Sequence, residues 1–239
     1  MSAILTDLVS PGAVLVLAPH PDDEALGCGA LLAACWDAGR AAHVACLTDG
    51  AASHPGSIAW PTARLSALRR LELETAVTRL GGVPARDVTW LGHPDAGLHR
   101  VAGPGADLAR DVARLVDRLG AATLFAPSPL DPHCDHEAAA AAALRVRALR
   151  PGLRVQFYPV WSRWTGGGTA PRPEGSRRRR FAPPDLALRK SAAIEAHASQ
   201  AGRVVTDDPG GFAMPAGFAR MFTEGAEVFD EVGGPDAWR

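Results

Sequence analysis

The sequence has 239 residues, of which 47% are hydrophobic, so one α/β domain could bury a core of ordinary size. Its 25 basic and 26 acidic residues give a formal charge of -1, which disfavours a general role in binding nucleic acid. Its apolar runs are too short to span a membrane, and residues 1–7 lack the pattern of a signal peptide. Four scattered cysteines without a CxxC pair favour free thiols in the cytoplasm.

Strands and helices are predicted to alternate along the first two thirds of the chain. Apolar and β-branched runs predict buried strands at residues 13–18, 42–47, 88–91, 122–126 and 153–158. Helical spacing of apolar residues predicts helices at residues 25–38, 63–80, 106–119 and 137–149. This alternation predicts the α/β class, with a doubly wound, mainly parallel sheet and helices on both faces.

The pattern becomes less regular after Trp161. Residues 165–184 are rich in glycine, proline and arginine, and they predict a flexible loop that includes the four arginines at 177–180. A further helix is predicted at residues 186–200 and a short helical piece near residues 218–229. Because the chain has no repeat and no clear linker, we expect one domain over residues 1–239. Its core is predicted at residues 11–160, with a C-terminal elaboration at residues 161–239.

Histidine and aspartate side chains gather after four of the predicted strands. The clusters are His20-Asp22-Asp23, Thr48-Asp49, His93-Asp95 and His133-Asp135-His136. The carboxyl ends of parallel strands meet at one edge of a sheet, which is where open α/β sheets bind their ligands. The sequence therefore predicts a functional site at this edge.

The spacing of these residues indicates a metal site. His20 and Asp23 are three residues apart where a strand turns into a helix, so both side chains can reach one ion. His136, at the start of another helix, is the natural third ligand. Two imidazoles and one carboxylate with an open fourth position are typical of catalytic zinc. The alternative is that Asp22 or Asp23 only caps the helix, which explains neither histidine.

Three neighbouring residues have side chains suited to hydrolysis. Asp22 lies beside a predicted ligand and could act as general base toward zinc-activated water. His133 could donate a proton or stabilise an oxyanion. Asp135 could hold an imidazole in one tautomer.

Three segments resemble motifs of the LmbE/PIG-L-like zinc-dependent N-deacetylases. Residues 18–24 read APHPDDE, which is similar to the family signature. Residues 133–136 read HCDH and are similar to the family's HxDH element, where proline often stands in place of Cys134. Residues 190–200, which include the only lysine of the chain, resemble the late KxxAxxxHxSQ helix. The resemblance extends over residues 13–230.

The resemblance implies a Rossmann-like sheet and the same roles for the residues of the predicted site. It assigns zinc binding to His20, Asp23 and His136, the general base to Asp22, and the general acid or oxyanion stabiliser to His133, oriented by Asp135. It also implies substrate binding by Arg69 and Asp95. The alternatives are an ordinary helix pair between Arg69 and Glu72 and simple turn stabilisation by Asp95.

Together these features predict a zinc-dependent hydrolase that removes an N-acetyl or other N-acyl group from a small amino sugar or glycoconjugate. Fe²⁺ is the alternative metal, and the sequence leaves a homo-oligomer open. One alternative function is an amidase on a thiol conjugate or another secondary-metabolite amide. A non-haem Fe(II) enzyme also uses two histidines and one carboxylate, although usually on a β-barrel. A sugar-binding module that keeps the metal as a scaffold would need neither Asp22 nor His133.

Overall fold

A computed structural model describes residues 3–103 and 106–233, so residues 1–2, 104–105 and 234–239 of the predicted domain lie outside the described part. The helices are α1 (Ala3–Leu8), α2 (Asp23–Asp37), α3 (Thr62–Leu80), α4 (Pro84–Asp87), α5 (Leu108–Leu119), α6 (Cys134–Leu149), α7 (Trp161–Thr165), α8 (Ala187–Ala196) and α9 (Phe218–Glu224). The strands are β1 (Ala13–Ala18), β2 (Ala42–Thr48), β3 (Val88–His93), β4 (Ala102–Gly103), β5 (Ala106–Asp107), β6 (Ala121–Pro127), β7 (Arg154–Tyr158), β8 (Arg177–Phe181) and β9 (Glu227–Glu231).

Seven of these strands form one sheet in the order β3-β2-β1-β6-β7-β9-β8. The first five strands in this order pair in parallel, whereas β9 pairs antiparallel with both β7 and β8. All five strands predicted from the sequence are present within a few residues of their expected ends. The predicted α/β class with a doubly wound, mainly parallel sheet is therefore confirmed.

The central strand β1 has a core on each side. Val14 and Val16 face a cluster built with α2, α3, α8 and α9, whereas Leu15 and Leu17 face a cluster built with α5 and α6. Successive side chains of a strand point to opposite faces, so a strand buried on both sides needs an unbroken apolar run. This explains the sequence of β1, and it confirms the prediction of helices on both faces.

The prediction of a flexible loop over residues 165–184 is wrong at Arg177–Phe181, which forms the edge strand β8. Charge pairing with β9 is the physical reason. Arg178 Nη2 lies 2.7 Å from Asp230 Oδ2, and Arg179 Nη2 lies 2.8 Å from Glu231 Oε2. A run of arginines therefore forms a strand because its partner strand supplies the carboxylates.

Strand β9 is also joined to the helical layer through Glu227. This fully buried carboxylate lies 2.6 Å from Lys190 Nζ of α8 and accepts hydrogen bonds from Ala30 N and Leu31 N of α2. The helix predicted near residues 218–229 ends at Glu224 because the chain turns into β9. The only lysine of the chain thus belongs to a buried ion pair.

The helix predicted at residues 186–200 ends at Ala196 instead. His197 leaves the helical conformation, and the residues after it turn toward α2 and α3. Within the described residues no helix is long and apolar enough to cross a bilayer, and all four cysteines are free thiols.

Candidate active site

The candidate site lies where the direction of winding of the sheet reverses. Strand β1 pairs with β2 on one side and with β6 on the other, and the chain continues from both β1 and β6 into loops at the same edge. The loop after β1 carries His20 and the start of α2, and the loop after β6 leads to His136 in α6. Such a switch point is the usual ligand site of an open α/β sheet.

The three predicted metal ligands meet around one carboxylate oxygen. Asp23 Oδ2 lies 3.3 Å from His20 Nδ1 and 3.3 Å from His136 Nε2, and it accepts a hydrogen bond from His20 N at 2.9 Å. All three side chains are buried or nearly so. The structure therefore brings His20, Asp23 and His136 together, although their role as ligands stays a prediction.

The hydrogen bonds of His136 fit the binding of a cation. Its Nδ1 lies 2.9 Å from Asp131 Oδ2, so in the neutral ring the proton is on Nδ1 and the lone pair is on Nε2. This buried Nε2 has no hydrogen-bond partner in the described part of the chain, and it faces Asp23. A lone pair that faces a carboxylate repels it unless a positive charge lies between them.

The electrostatics around His20 also favour a cation. Its Nε2 lies 3.2 Å from Asp95 Oδ1 and 3.2 Å from Asp135 Oδ2, while its Nδ1 faces Asp23. Burial alone would lower the pKa of His20, but these three carboxylates raise it well above its ordinary value. Three carboxylates around one buried imidazole create a negative potential that also stabilises a divalent metal ion.

His133 lies close enough to belong to the same centre. Its ring centroid is 4.6 Å from that of His20 and 5.2 Å from that of His136. The three histidines each offer a ring nitrogen within 4.8 Å of the others, so geometry allows a ligand set with three imidazoles as well. If His133 is one of the ligands, it cannot at the same time have the catalytic role predicted for it.

Asp131 is a functional candidate that sequence reasoning missed. Its fully buried carboxylate accepts hydrogen bonds from Val160 N and from the amide and hydroxyl of Ser162, in addition to its bond to His136. A carboxylate on the second ring nitrogen of a metal ligand fixes the tautomer and the direction of that imidazole. The signal in the sequence was an acidic residue in the loop that leads into α6, five residues before His136.

Asp22 has an unusual backbone conformation at the start of α2. Its φ is 140°, a region that residues other than glycine rarely adopt. Its side chain caps no amide of α2, so the capping alternative does not apply to Asp22. Burial raises the pKa of this carboxyl to about 7, even though the Arg69 guanidinium acts in the opposite direction. A group with such a pKa is suited to exchange protons near neutral pH.

Arg69 is buried beside this turn, with only 2% of its surface exposed. It donates from Nη1 to Gly50 O at 2.8 Å, and from Nη2 to Pro21 O at 2.6 Å and to Asp22 Oδ2 at 3.3 Å. The helix partner considered for it, Glu72, accepts hydrogen bonds from the amide and hydroxyl of Ser199. Arg69 therefore holds the loop that carries Asp22, and direct contact with a substrate stays a prediction.

The arrangement of His133 and Asp135 differs in detail from the expectation. His133 accepts a hydrogen bond at Nδ1 from Asp135 N, which places the ring proton of the neutral form on Nε2. Burial and the neighbouring His20 and His136 lower the pKa of His133 to about 4. It is thus the backbone amide of Asp135 that orients His133.

The carboxylate of Asp135 has other partners. It accepts hydrogen bonds from Ala96 N and Leu98 N at 2.8 and 2.9 Å, and it faces His20. Asp95, which directly precedes Ala96 in the loop after β3, accepts hydrogen bonds from Ala52 N at 2.9 Å and from Ala96 N at 2.8 Å. Asp95 therefore stabilises a turn and also faces the cleft, so the structure accommodates both alternatives considered for it.

The third motif that resembles the family, residues 190–200, contacts the site through a hydrogen bond between His197 and Glu24. His197 Nε2 lies 2.9 Å from Glu24 Oε1, and Glu24 Oε2 accepts a hydrogen bond from Asp22 N. Both side chains are fully buried. This contact connects the end of α8 to the turn at Asp22.

The functional side chains line a cleft of about 790 Å³. The polar residues that reach this cleft are His20, Asp22, Asp23, Ser53, Arg69, Asp95, His133 and Gln200. A cavity of this size with a few convergent polar groups is typical of sites for small molecules.

Residues 15–147 match the PIG-L family, described as GlcNAc-PI de-N-acetylase. Over 147 residues, 55% of this chain and 51% of the relative, the sequence is 35% identical to 2'-N-acetylparomamine deacetylase of Streptomyces fradiae. The chain thus spans about half the length of this curated relative.

Solved structures with the same fold include three that are similar over most of the chain. N,N'-diacetylchitobiose deacetylase of Pyrococcus horikoshii has a TM-score of 0.63 and 24% identity, covering 79% of this chain and 70% of its own. A conserved protein of Thermus thermophilus has a TM-score of 0.62 and 27% identity, covering 90% and 92%. Teicoplanin deacetylase has a TM-score of 0.65 and 18% identity, covering 92% and 97%. Because the matched residues make up more than half of the sequence, the chain belongs to the PIG-L family.

Proposed function

We propose that the protein is a zinc-dependent N-deacetylase that hydrolyses the acetamide of an N-acetylated amino sugar or glycoconjugate. The observation that carries this proposal is the position of Asp23 Oδ2, 3.3 Å from both His20 Nδ1 and His136 Nε2, beside the buried carboxyl of Asp22. The names of the relatives, which are deacetylases of acetylated sugars, support the same reaction.

His20, Asp23 and His136 hold the metal in this proposal, and Asp131 keeps the imidazole of His136 in the tautomer that offers Nε2. When bound, Zn²⁺ polarises the amide carbonyl and makes water easier to deprotonate. The unpartnered Nε2 of His136 and the three carboxylates around His20 support this donor set.

Asp22 is the proposed general base. It takes a proton from the attacking water and later returns a proton to the nitrogen of the leaving amine, so that water and acetamide become acetate and amine. The pKa of about 7 supports both steps, because such a carboxyl can accept and release a proton near neutrality. Arg69 keeps this side chain in place through its bonds to Pro21 O and Asp22.

His133 is the proposed oxyanion stabiliser. Its neutral ring presents Nε2–H, because Nδ1 accepts the hydrogen bond from Asp135 N. A donor of this kind stabilises the negative charge that builds on the carbonyl oxygen in the transition state. Asp95 and Arg69 remain the proposed contacts to the sugar, and the free cysteines support a reducing compartment such as the cytoplasm.

The experiment that tests this function measures the release of acetate and free amine from a panel of N-acetylated amino sugars. The protein is assayed as prepared, after removal of metal with a chelator, and after addition of Zn²⁺ or Fe²⁺. We expect turnover that is lost with the metal and restored by Zn²⁺. Failure to release acetate from any member of the panel at any metal loading would overturn the proposal.

A further inference from the structure

The cleft also has an apolar wall that the proposed chemistry does not use. Beyond the polar residues, its walls are formed by apolar side chains. The larger ones are Leu26, Val160, Trp161, Phe212, Met214 and Phe218. Apart from Leu26, these residues follow position 147, so they lie outside the segment that matches the family.

Trp161 and Phe212 form the aromatic part of this wall. Their ring centroids are 5.6 Å apart in an edge-to-face arrangement, and the ring of Phe218 lies 5.2 Å from that of Trp161. Phe218 is buried and packs against Trp161, whereas Trp161 and Phe212 are only half-buried. The two rings therefore keep surface that a flat or apolar ligand can cover.

The wall is held in position by hydrogen bonds between two loops. Asp207 accepts from Ile58 N, Ala59 N and the Ser57 hydroxyl, and Phe212 N donates to Ser53 O at 2.7 Å. Asp208 likewise accepts from Gly56 N at 2.8 Å. The carboxylates nearest to the wall in sequence are thus engaged by the protein itself.

The wall has no charge of its own. Residues 209–218 contain no acidic or basic side chain. The titratable or charged residues that line the cleft are those of the candidate site, namely His20, Asp22, Asp23, Arg69, Asp95 and His133. A cationic or anionic group bound against this wall would lose its hydration without gaining a partner, which is costly. The wall therefore selects an uncharged group.

We propose that this wall is an aglycone subsite: the substrate is an N-acetylated amino sugar that carries an uncharged aromatic or apolar group, which packs on Trp161 and Phe212. The inference rests on the proposed function, because the acetamide must lie beside the predicted metal ligands while the attached group packs on the wall. The volume of about 790 Å³ is in the range that encloses a drug-sized ligand and exceeds the needs of one sugar.

The test compares three glycosides of N-acetylglucosamine in the zinc-loaded full chain: the free sugar, its 4-nitrophenyl glycoside and an aminoalkyl glycoside with a positive charge. Acetate release gives kcat and KM for each. We expect kcat/KM for the aryl glycoside to exceed that of the other two by about tenfold, the effect of burying one ring. Phe212→Ala and Trp161→Ala should each remove most of this preference, mainly by raising KM for the aryl glycoside.

Ile58→Ala is the matched control, because this side chain is 92% exposed and is not part of the wall. It should leave the preference intact, and thermal unfolding shows whether each variant is folded. Equal kcat/KM for all three glycosides, or a preference for the cationic one, would overturn the proposed subsite but would not contradict the proposed deacetylase function. If no glycoside releases acetate, the result contradicts both the proposed function and the proposed subsite.

Discussion

Arg69 Nη2 lies 3.3 Å from Asp22 Oδ2, and the same nitrogen donates to the carbonyl of Pro21 at 2.6 Å. The arginine therefore holds both the side chain and the backbone of a turn in which Asp22 has a φ of 140°. Backbone strain of this kind persists only where surrounding contacts stabilise it. Arg69 is one such contact, and Glu24, which accepts from Asp22 N, is another.

We predict that Arg69→Met lowers kcat by at least about tenfold, since a misplaced reacting group commonly costs this much or more. The metal content should stay near that of the wild type, because none of the bonds of Arg69 goes to a predicted ligand. Arg70→Met is the control, as its ion pair with Glu74 is exposed. A kcat unchanged by Arg69→Met would show that the turn does not depend on the arginine.

A second prediction concerns Asp131, which bonds to His136 Nδ1 at 2.9 Å. Asp131→Asn should weaken zinc binding about 10- to 100-fold, because the imidazole loses the carboxylate that orients it. Competition with a chromophoric chelator measures the affinity directly. Asp117→Asn, which alters an exposed pair with Arg150, should leave it unchanged. Equal affinities in the two variants would contradict the role given to Asp131.

The C-terminal strands provide a prediction on pH and stability. Burial raises the pKa of Glu231, but Arg154 and Arg179 outweigh it and hold this pKa below the ordinary 4.5. A lowered pKa means that the folded state prefers the ionised form, so the stabilisation is complete above the ordinary pKa and is lost as pH falls through the folded-state pKa. The difference in unfolding free energy between wild type and Glu231→Gln should therefore be constant between neutral pH and about 5.5.

Below pH 4.5 this difference should shrink, because Glu231 becomes protonated and resembles the glutamine. Denaturant unfolding at a series of pH values measures it. A difference that stays the same down to the acid limit of folding, or grows there, would mean that Glu231 stabilises β9 by packing and not by its charge.

Gly27 provides a prediction on the packing of α2 against the sheet. Alanine in a helix interior ordinarily stabilises relative to glycine, but a Cβ on Gly27 would overlap the ring of Tyr158. This ring is fixed, since its hydroxyl donates to Leu17 O at 2.5 Å. Gly27→Ala should therefore destabilise by about 1–3 kcal/mol, as overpacking commonly does.

Gly152→Ala is the matched control, because a Cβ there has no atom within 4 Å. Its effect should lie within about 0.5 kcal/mol in the same thermal or denaturant unfolding experiment. If Gly27→Ala proves as stable as the wild type, α2 is not packed as closely on Tyr158 as described.

The sequence predicted the central strands because each is buried on both faces. The run at residues 13–18 consists only of apolar residues, and β1 spans the same residues. Strand β8 could not be predicted in this way, since Arg178 and Arg179 form ion pairs with Asp230 and Glu231, which lie far along the chain. Nothing near the arginines in the chain indicates that their charges are balanced.

The candidate site, like the fold, could be predicted from the sequence only in part. The spacing of His20 and Asp23, and the position of His136 after another strand, were sufficient to predict that the three would meet. The role of Asp131 depended on the direction in which a ring nitrogen points, and the aromatic wall depended on how the loop after Asp208 folds back over the cleft. Such features arise from tertiary contacts, which local patterns do not record.

The most direct test of the account is a comparison of metal content and turnover in Asp22→Asn and His136→Ala, using one N-acetylated glucosaminide. Asp22→Asn should keep about one zinc per chain and lose turnover by about 100- to 10,000-fold, since a general base contributes this much. His136→Ala should lose both the zinc and the turnover. An Asp22→Asn protein that binds zinc and still turns over at a near-normal rate would contradict the assignment of the base and the account built on it.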